Sequence, residues 1–112
     1  MRRFSKSPNP KPSSESDVLV SRAHRHRNRG EHRRAMIVLR EACHLEAGDA
    51  RLWTLYAVAC VRNGRRDEAV AALKQAVYLR ERARDVARVR VTRELLDHIT
   101  GGASSFRAVA RA

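Results

Sequence analysis

Aromatic residues are scarce in this chain: one tryptophan, two tyrosines and two phenylalanines among 112 residues. That scarcity argues against the base-stacking platforms on which modules for single-stranded nucleic acid rely. Cysteine is scarcer still, with only Cys43 and Cys60. Two thiols cannot build a disulfide framework, so a reduced, cytoplasmic protein is expected, with both residues acting as small buried apolar groups. All three prolines precede residue 13, and no later segment is interrupted by one. No run of about 18 apolar residues occurs, so no membrane span is expected. The basic opening MRRFSKSPNPKPSSES is not followed by an apolar stretch, and no secretory signal is expected.

Chemistry-bearing patterns are missing as well. There is no glycine-rich phosphate loop, no nucleophile elbow and no carboxylate pair in an apolar setting. Asp67-Glu68 opens a helix, where carboxylates stabilise the positive end of the dipole. No catalytic residue, cofactor or enzymatic activity is expected. His24, His26, His32 and His44 lack metal-ligand spacing, since His24 and His26 point in different directions on a helix and His32 starts another. No metal site is expected from them.

Acids are outnumbered two to one, 12 against 24 bases, for a formal net charge of +12. Residues 1–15 hold +3 and residues 101–112 hold +2, which leaves +7 on the middle of the chain. Arginine makes up 21 of the bases, either a choice of guanidinium chemistry or the imprint of a GC-rich genome. In both cases the surface attracts anionic partners in a salt-dependent way.

What the chain does have is a 34-residue period. Sliding Ser16–Asp49 onto Ala50–Ala83 brings Ala23 onto Ala57, Gly30 onto Gly64, Ala35 onto Ala69 and Ala42 onto Ala76. Leu19 falls on Trp53, Leu39 on Leu73 and Leu45 on Leu79. A fixed period of this kind marks a repeat architecture, which is a binding scaffold rather than an enzyme. Apolar spacing predicts helices over Asp17–Arg29, Glu31–Glu46, Ala50–Arg62, Asp67–Leu79 or beyond, and Asp85–Thr100. Ser16 or Asp17, Asp49 and Asp67 are the expected caps. The second helix is expected to bury Ala35, Ile37 or Val38, Leu39, Ala42 and Leu45, and the fifth Val86, Val89, Leu95 or Leu96, and Ile99. The RERARD stretch after Leu79 contains no breaker, so the fourth and fifth helices either run together or part near Ala83–Asp85; a break is the reading adopted. Residues 1–15 read as a disordered basic tail, 16–100 as the helical domain, and 101–112 as a flexible tail.

The second repeat resembles the tetratricopeptide repeat, through Trp53, Ala57, Gly64, Asp67-Glu68-Ala69, Leu73, Ala76 and Leu79. The first carries Leu19, Ala23, Gly30, Ala35, Leu39, Ala42 and Leu45 at the same places. The resemblance implies an all-α fold: antiparallel helix–turn–helix repeats at 16–49 and 50–83, stacked as a short right-handed α-solenoid and closed by a capping helix at 84–100. Alanine at Ala23/Ala35 and Ala57/Ala69 lets paired helices approach closely. Arg22 stands where the family has a leucine, and Ala47 and Glu81 near its proline. Two repeats fall short of the roughly three usually needed for stability. A bound partner or a second copy would supply the missing contacts.

Such a stack implies a concave groove lined by Val20, His24 and Arg27, by Arg51, Thr54, Leu55, Val58, Val61 and Arg62, and by Arg88 and Thr92 of the cap. An apolar floor with basic margins suits an acidic, partly apolar segment of another protein. Val20 and His24 stand where one subtype of the family grips a carboxylate with Lys and Asn, so no carboxylate clamp is expected. The function expected is therefore an adaptor or assembly factor. The alternative is a nucleic-acid-associated protein using Arg22, Arg25, Arg29, Arg33 and Arg34 together with the basic tail.

Overall fold

A computed structural model of the chain describes residues 14–101. The described residues are all-helical: α1 (Glu15–Asn28), α2 (His32–Leu45), α3 (Ala50–Arg62), α4 (Arg66–Arg82) and α5 (Val86–Thr100). Each helix packs on its sequence neighbour, giving a short stack of helical repeats. The two tails lie outside the described residues, apart from their inner edges. There Ser14 caps α1 and Glu15 is already helical, so α1 begins slightly earlier than expected.

Three of the four turns are built alike. After α1, Gly30 donates to the Arg27 carbonyl (2.9 Å) and Glu31 to that of His26 (2.8 Å). After α3, Gly64 donates to Val61 (3.0 Å) and Arg65 to Cys60 (2.8 Å). After α4, Arg84 donates to Glu81 and Asp85 to Arg80, both at 3.0 Å. Each is a Schellman motif, which satisfies the last carbonyls of the helix and requires a left-handed residue just past its end. Gly30 (φ 78) and Gly64 (φ 72) provide that conformation freely, whereas Arg84 (φ 60) is an L-residue held in it. This turn is what separates α4 from α5 without proline or glycine.

The alanines of the 34-residue period are the crossing points. Ala23, Ala35, Ala42, Ala57, Ala69 and Ala76 are all buried, and Leu39, Leu52 and Leu73 fill the space between the helix axes. Asn63 ties the two repeats together, its Nδ2 donating to the carbonyls of His32 (2.9 Å) and Ala59 (2.8 Å). The attachment of α5 is more polar. Arg80 donates to the buried Thr92 hydroxyl (2.7 Å), Glu81 pairs with Arg93, and Arg66 donates to the terminal carbonyls of Ile99 (3.0 Å) and Thr100 (3.3 Å).

Several local expectations are corrected. The cap of α1 is Ser14, whose hydroxyl accepts from the Asp17 amide at 3.2 Å, not Ser16 or Asp17. Helix α4 has no side-chain cap, because the Schellman turn leaves Arg65 at that position and Asp67 inside the first turn. Asp49 and Asp85 do cap α3 and α5, accepting from Arg51 (3.0 Å) and Arg88 (3.2 Å). Leu45 is 47% exposed, since it sits about 100° around α2 from the centre of the buried stripe. Ile37 is exposed while Val38 is buried. Val86, in the first turn of α5, is 73% exposed, with no further helix among the described residues to cover it.

Candidate functional site

Five of the expected groove residues converge. His24 and Arg27 of α1 face Leu55, Val58 and Arg62 of α3 across a recess of about 120 Å³. Its floor is made by Ala23, Ala35, Leu39 and Ala59. The recess exists because alanine occupies the crossing points: the helices approach closely there and no bulky side chain fills the cleft above. His32 completes the rim, and the Asn63 amide fixes it there by holding the start of α2 against the end of α3. The result is an apolar pit edged by two guanidinium groups and two imidazoles. Among the described residues, no ion pair involves Arg27 or Arg62, so both are available to an incoming carboxylate.

The remaining groove residues are not brought there. Val20 and Val61 are 8% and 1% exposed and belong to the core. Thr54 is half-buried and its hydroxyl donates to the Ala50 carbonyl at 3.0 Å. Thr92 is 2% exposed; it accepts from Arg80 and donates to the Arg88 carbonyl at 2.6 Å. Arg51 and Arg88 lie at the other end of the helices, around an open depression shared with Arg80, Glu46, Asp49 and Asp85. Their charge is largely answered locally. Arg51 lies 3.6 Å from Asp17 and 3.9 Å from Asp49, and Arg88 lies 2.9 Å from Asp85. The Arg88 side chain, helped by its amide, holds the Asp85 carboxyl below the ordinary range.

The five arginines expected to form an anion-binding face, Arg22, Arg25, Arg29, Arg33 and Arg34, are all exposed. His26 Nδ1 lies 2.7 Å from Glu31 Oε1, and this hydrogen bond keeps the Glu31 carboxyl below its usual range. The cysteines are free and fully buried. Desolvation pushes the Cys43 thiol up to about 12 and that of Cys60 up to about 11. Both remain protonated at neutral pH and are poor nucleophiles. Among the described residues no cluster of three or more His, Cys, Asp or Glu could hold a metal ion. No helix among them is long and apolar enough to cross a membrane.

Sequence reasoning missed His32 and the floor residues Ala35 and Leu39, because groove positions were assigned to first helices alone; Ala23 of α1 and Ala59 of α3, also in the floor, were missed as well. The only signal was the pairing of α2 with α1 that the alanine register already implied. The architecture is thus that of a short helical-repeat stack with a basic-rimmed apolar recess between α1, α2 and α3. Comparison with protein-family models, with curated proteins and with solved structures finds no match.

Proposed function

We propose that this chain is a tetratricopeptide-like interaction module that binds an acidic, partly apolar segment of another protein and works by binding alone, without catalysis. The recess between α1, α2 and α3 carries the reading: an apolar pit for one anchoring side chain, with Arg27 and Arg62 at its edge to meet flanking carboxylates. The neutral thiols of Cys43 and Cys60 suit a reducing compartment such as the cytoplasm. The 34-residue alanine register supports the family reading, and the short stack leaves room for a partner to extend it.

The test is an array of 12-residue peptides carrying a single leucine or phenylalanine between glutamates, with binding followed by fluorescence anisotropy. Val58→Glu places a charge in the pit and Arg62→Glu inverts its rim. Each is expected to weaken binding of the selected peptides tenfold or more, about 1.4 kcal/mol, while helical circular dichroism is unchanged. Unaltered affinity in both variants would reject the recess as the binding site.

A further inference from the structure

Arginine is concentrated on the outer face of the first hairpin, where five exposed guanidinium groups fall between residues 22 and 34. Arg22 and Arg25 of α1 and Arg29 at its C-cap are three and four residues apart, which at about 100° per residue keeps them within roughly 60° of one another. The same geometry centres them roughly 130° around the helix from the buried Leu19, Val20 and Ala23. Arg33 and Arg34 continue the surface beyond the tight Gly30 turn, in the first turn of α2. Among the described residues, none of these five makes an ion pair, and neither do Arg82, Arg84 and Arg90, whereas Arg51, Arg65, Arg88 and Arg93 each hold a carboxylate. Glu31, the single acid between Arg22 and Arg34, is already engaged by His26. Arg29 and Arg34 add to the field that depresses its carboxyl.

We infer that this face binds the phosphate backbone of a double-stranded nucleic acid. The stripe extends about 10 Å along the helix axis, at 1.5 Å per residue, enough to meet about three successive phosphates of one strand. Guanidinium groups grip phosphate oxygens in pairs and stay charged at every physiological pH. A single strand fits poorly, because it needs aromatic stacking platforms and the first hairpin carries no Phe, Tyr or Trp. Trp53 is tied by its Nε1 to the Ala47 carbonyl at 2.8 Å, and Tyr56 is buried. A lipid surface fits poorly too, because membrane-surface helices need a broad apolar face and Val18 is the one exposed large apolar residue on α1. The surface lies across α1 from the recess, so this inference stands or falls independently of the peptide reading.

The experiment measures anisotropy of labelled 20-base-pair DNA and RNA duplexes of arbitrary sequence against the full chain, between 50 and 300 mM NaCl. Five phosphate contacts predict a log–log slope near −4.5, or a loss of roughly 20-fold in affinity between 100 and 200 mM salt. Binding of either duplex with that slope supports the inference, and the pair of duplexes tells which polymer is preferred. Replacing Arg22, Arg25 and Arg29 together by Gln should make the slope shallower by about 2.7. The control replaces Arg82, Arg84 and Arg90 by Gln, removing the same charge from α4, its turn and α5. Equal losses in both triple variants overturn the inference, since net charge alone would then explain the binding. Complete loss when Arg2, Arg3, Lys6 and Lys11 become Ser also overturns it, as does tighter binding to a single strand or to phosphatidylserine vesicles. Should the first triple variant fail to fold, Arg25→Gln alone must still make the slope shallower by about 0.9.

Discussion

Arg84 should be replaceable by glycine with a gain in stability. Its φ of 60 is the left-handed conformation that the same turn obtains from Gly30 and Gly64 at the ends of α1 and α3. A side chain in that region costs about 1–2 kcal/mol through the clash of its Cβ with the backbone. Glycine removes that cost but brings greater freedom to the unfolded chain, worth about 0.5–1 kcal/mol in the opposite direction. The net expectation for Arg84→Gly is stabilisation by about 0.5–1 kcal/mol, or about 2–8 °C in Tm for a domain of this size. The reverse experiment is available at Gly64. A Cβ built there meets no atom within 4 Å, so Gly64→Ala tests the backbone conformation alone, free of packing. It should destabilise by a similar amount. Urea titration at pH 7 with circular dichroism at 222 nm measures both. If Arg84→Gly is neutral or destabilising while Gly64→Ala costs about 1 kcal/mol, the turn after α4 is not the Schellman motif described.

Two further expectations follow from side-chain chemistry. Arg66→Ala removes the donors to the Ile99 and Thr100 carbonyls; it should cost about 0.5–1.5 kcal/mol and accelerate amide exchange chiefly in the last turn of α5, a localisation that hydrogen-exchange mass spectrometry resolves. The chain should also lose stability above pH 9. Cys43 and Cys60 have folded pKa values of about 12 and about 11, above the ordinary 9.0, so the unfolded chain gives up its thiol protons first. Each thiol then removes about 1.4 kcal/mol per pH unit, roughly 3 kcal/mol in all by pH 10. A Cys43→Ala/Cys60→Ala chain that declines with the same slope between pH 8 and 10 would contradict this assignment.

The helices were legible in the sequence because their determinants are local. Alanine at the crossing points and glycine past the helix ends recur every 34 residues, and both roles follow from sterics that a sequence displays directly. The missed caps have equally local causes. Ser14 sits in a serine-rich stretch where neighbouring residues compete for the same role, and at α4 the turn geometry uses the position that Asp67 was expected to fill. Arg84 left no trace, because nothing in an arginine announces a left-handed backbone.

The site was legible only where the period holds. Across α1 and α3 the 34-residue register carries His24 to Val58 and places both on one recess. At α5 it breaks: the capping residues Asp49 and Asp85 are 36 residues apart. Two extra residues turn a helix by roughly 200°, which rotates Thr92 into the core and sends Arg88 to an ion pair with Asp85. The positions assigned to α5 by carrying the period forward therefore landed on the wrong face. Val61 failed for a different reason. It follows Cys60 on the core side of α3, and whether such a residue is floor or interior depends on how tightly α3 meets its neighbours, which no single helix encodes.

Helix α1 serves both proposed surfaces, and its geometry keeps them separate. His24 and Arg27 turn toward α3, while Arg22, Arg25 and Arg29 occupy the far side. Both surfaces are basic, so charge alone would let one acidic ligand occupy either. The apolar lining of Leu39, Leu55 and Val58 discriminates between them. A phosphodiester chain has no aliphatic side chain to fill a pit of about 120 Å³, and leaves it wet. An acidic peptide on the outer face gains only exposed ion pairs, each worth about 0–1 kcal/mol. If both proposals hold, the apolar contact sorts the two ligand classes, and salt weakens the outer surface far more steeply than the recess. A Val58→Glu chain should accordingly lose peptide affinity and keep its duplex affinity, and the Arg22/Arg25/Arg29 variant should do the reverse.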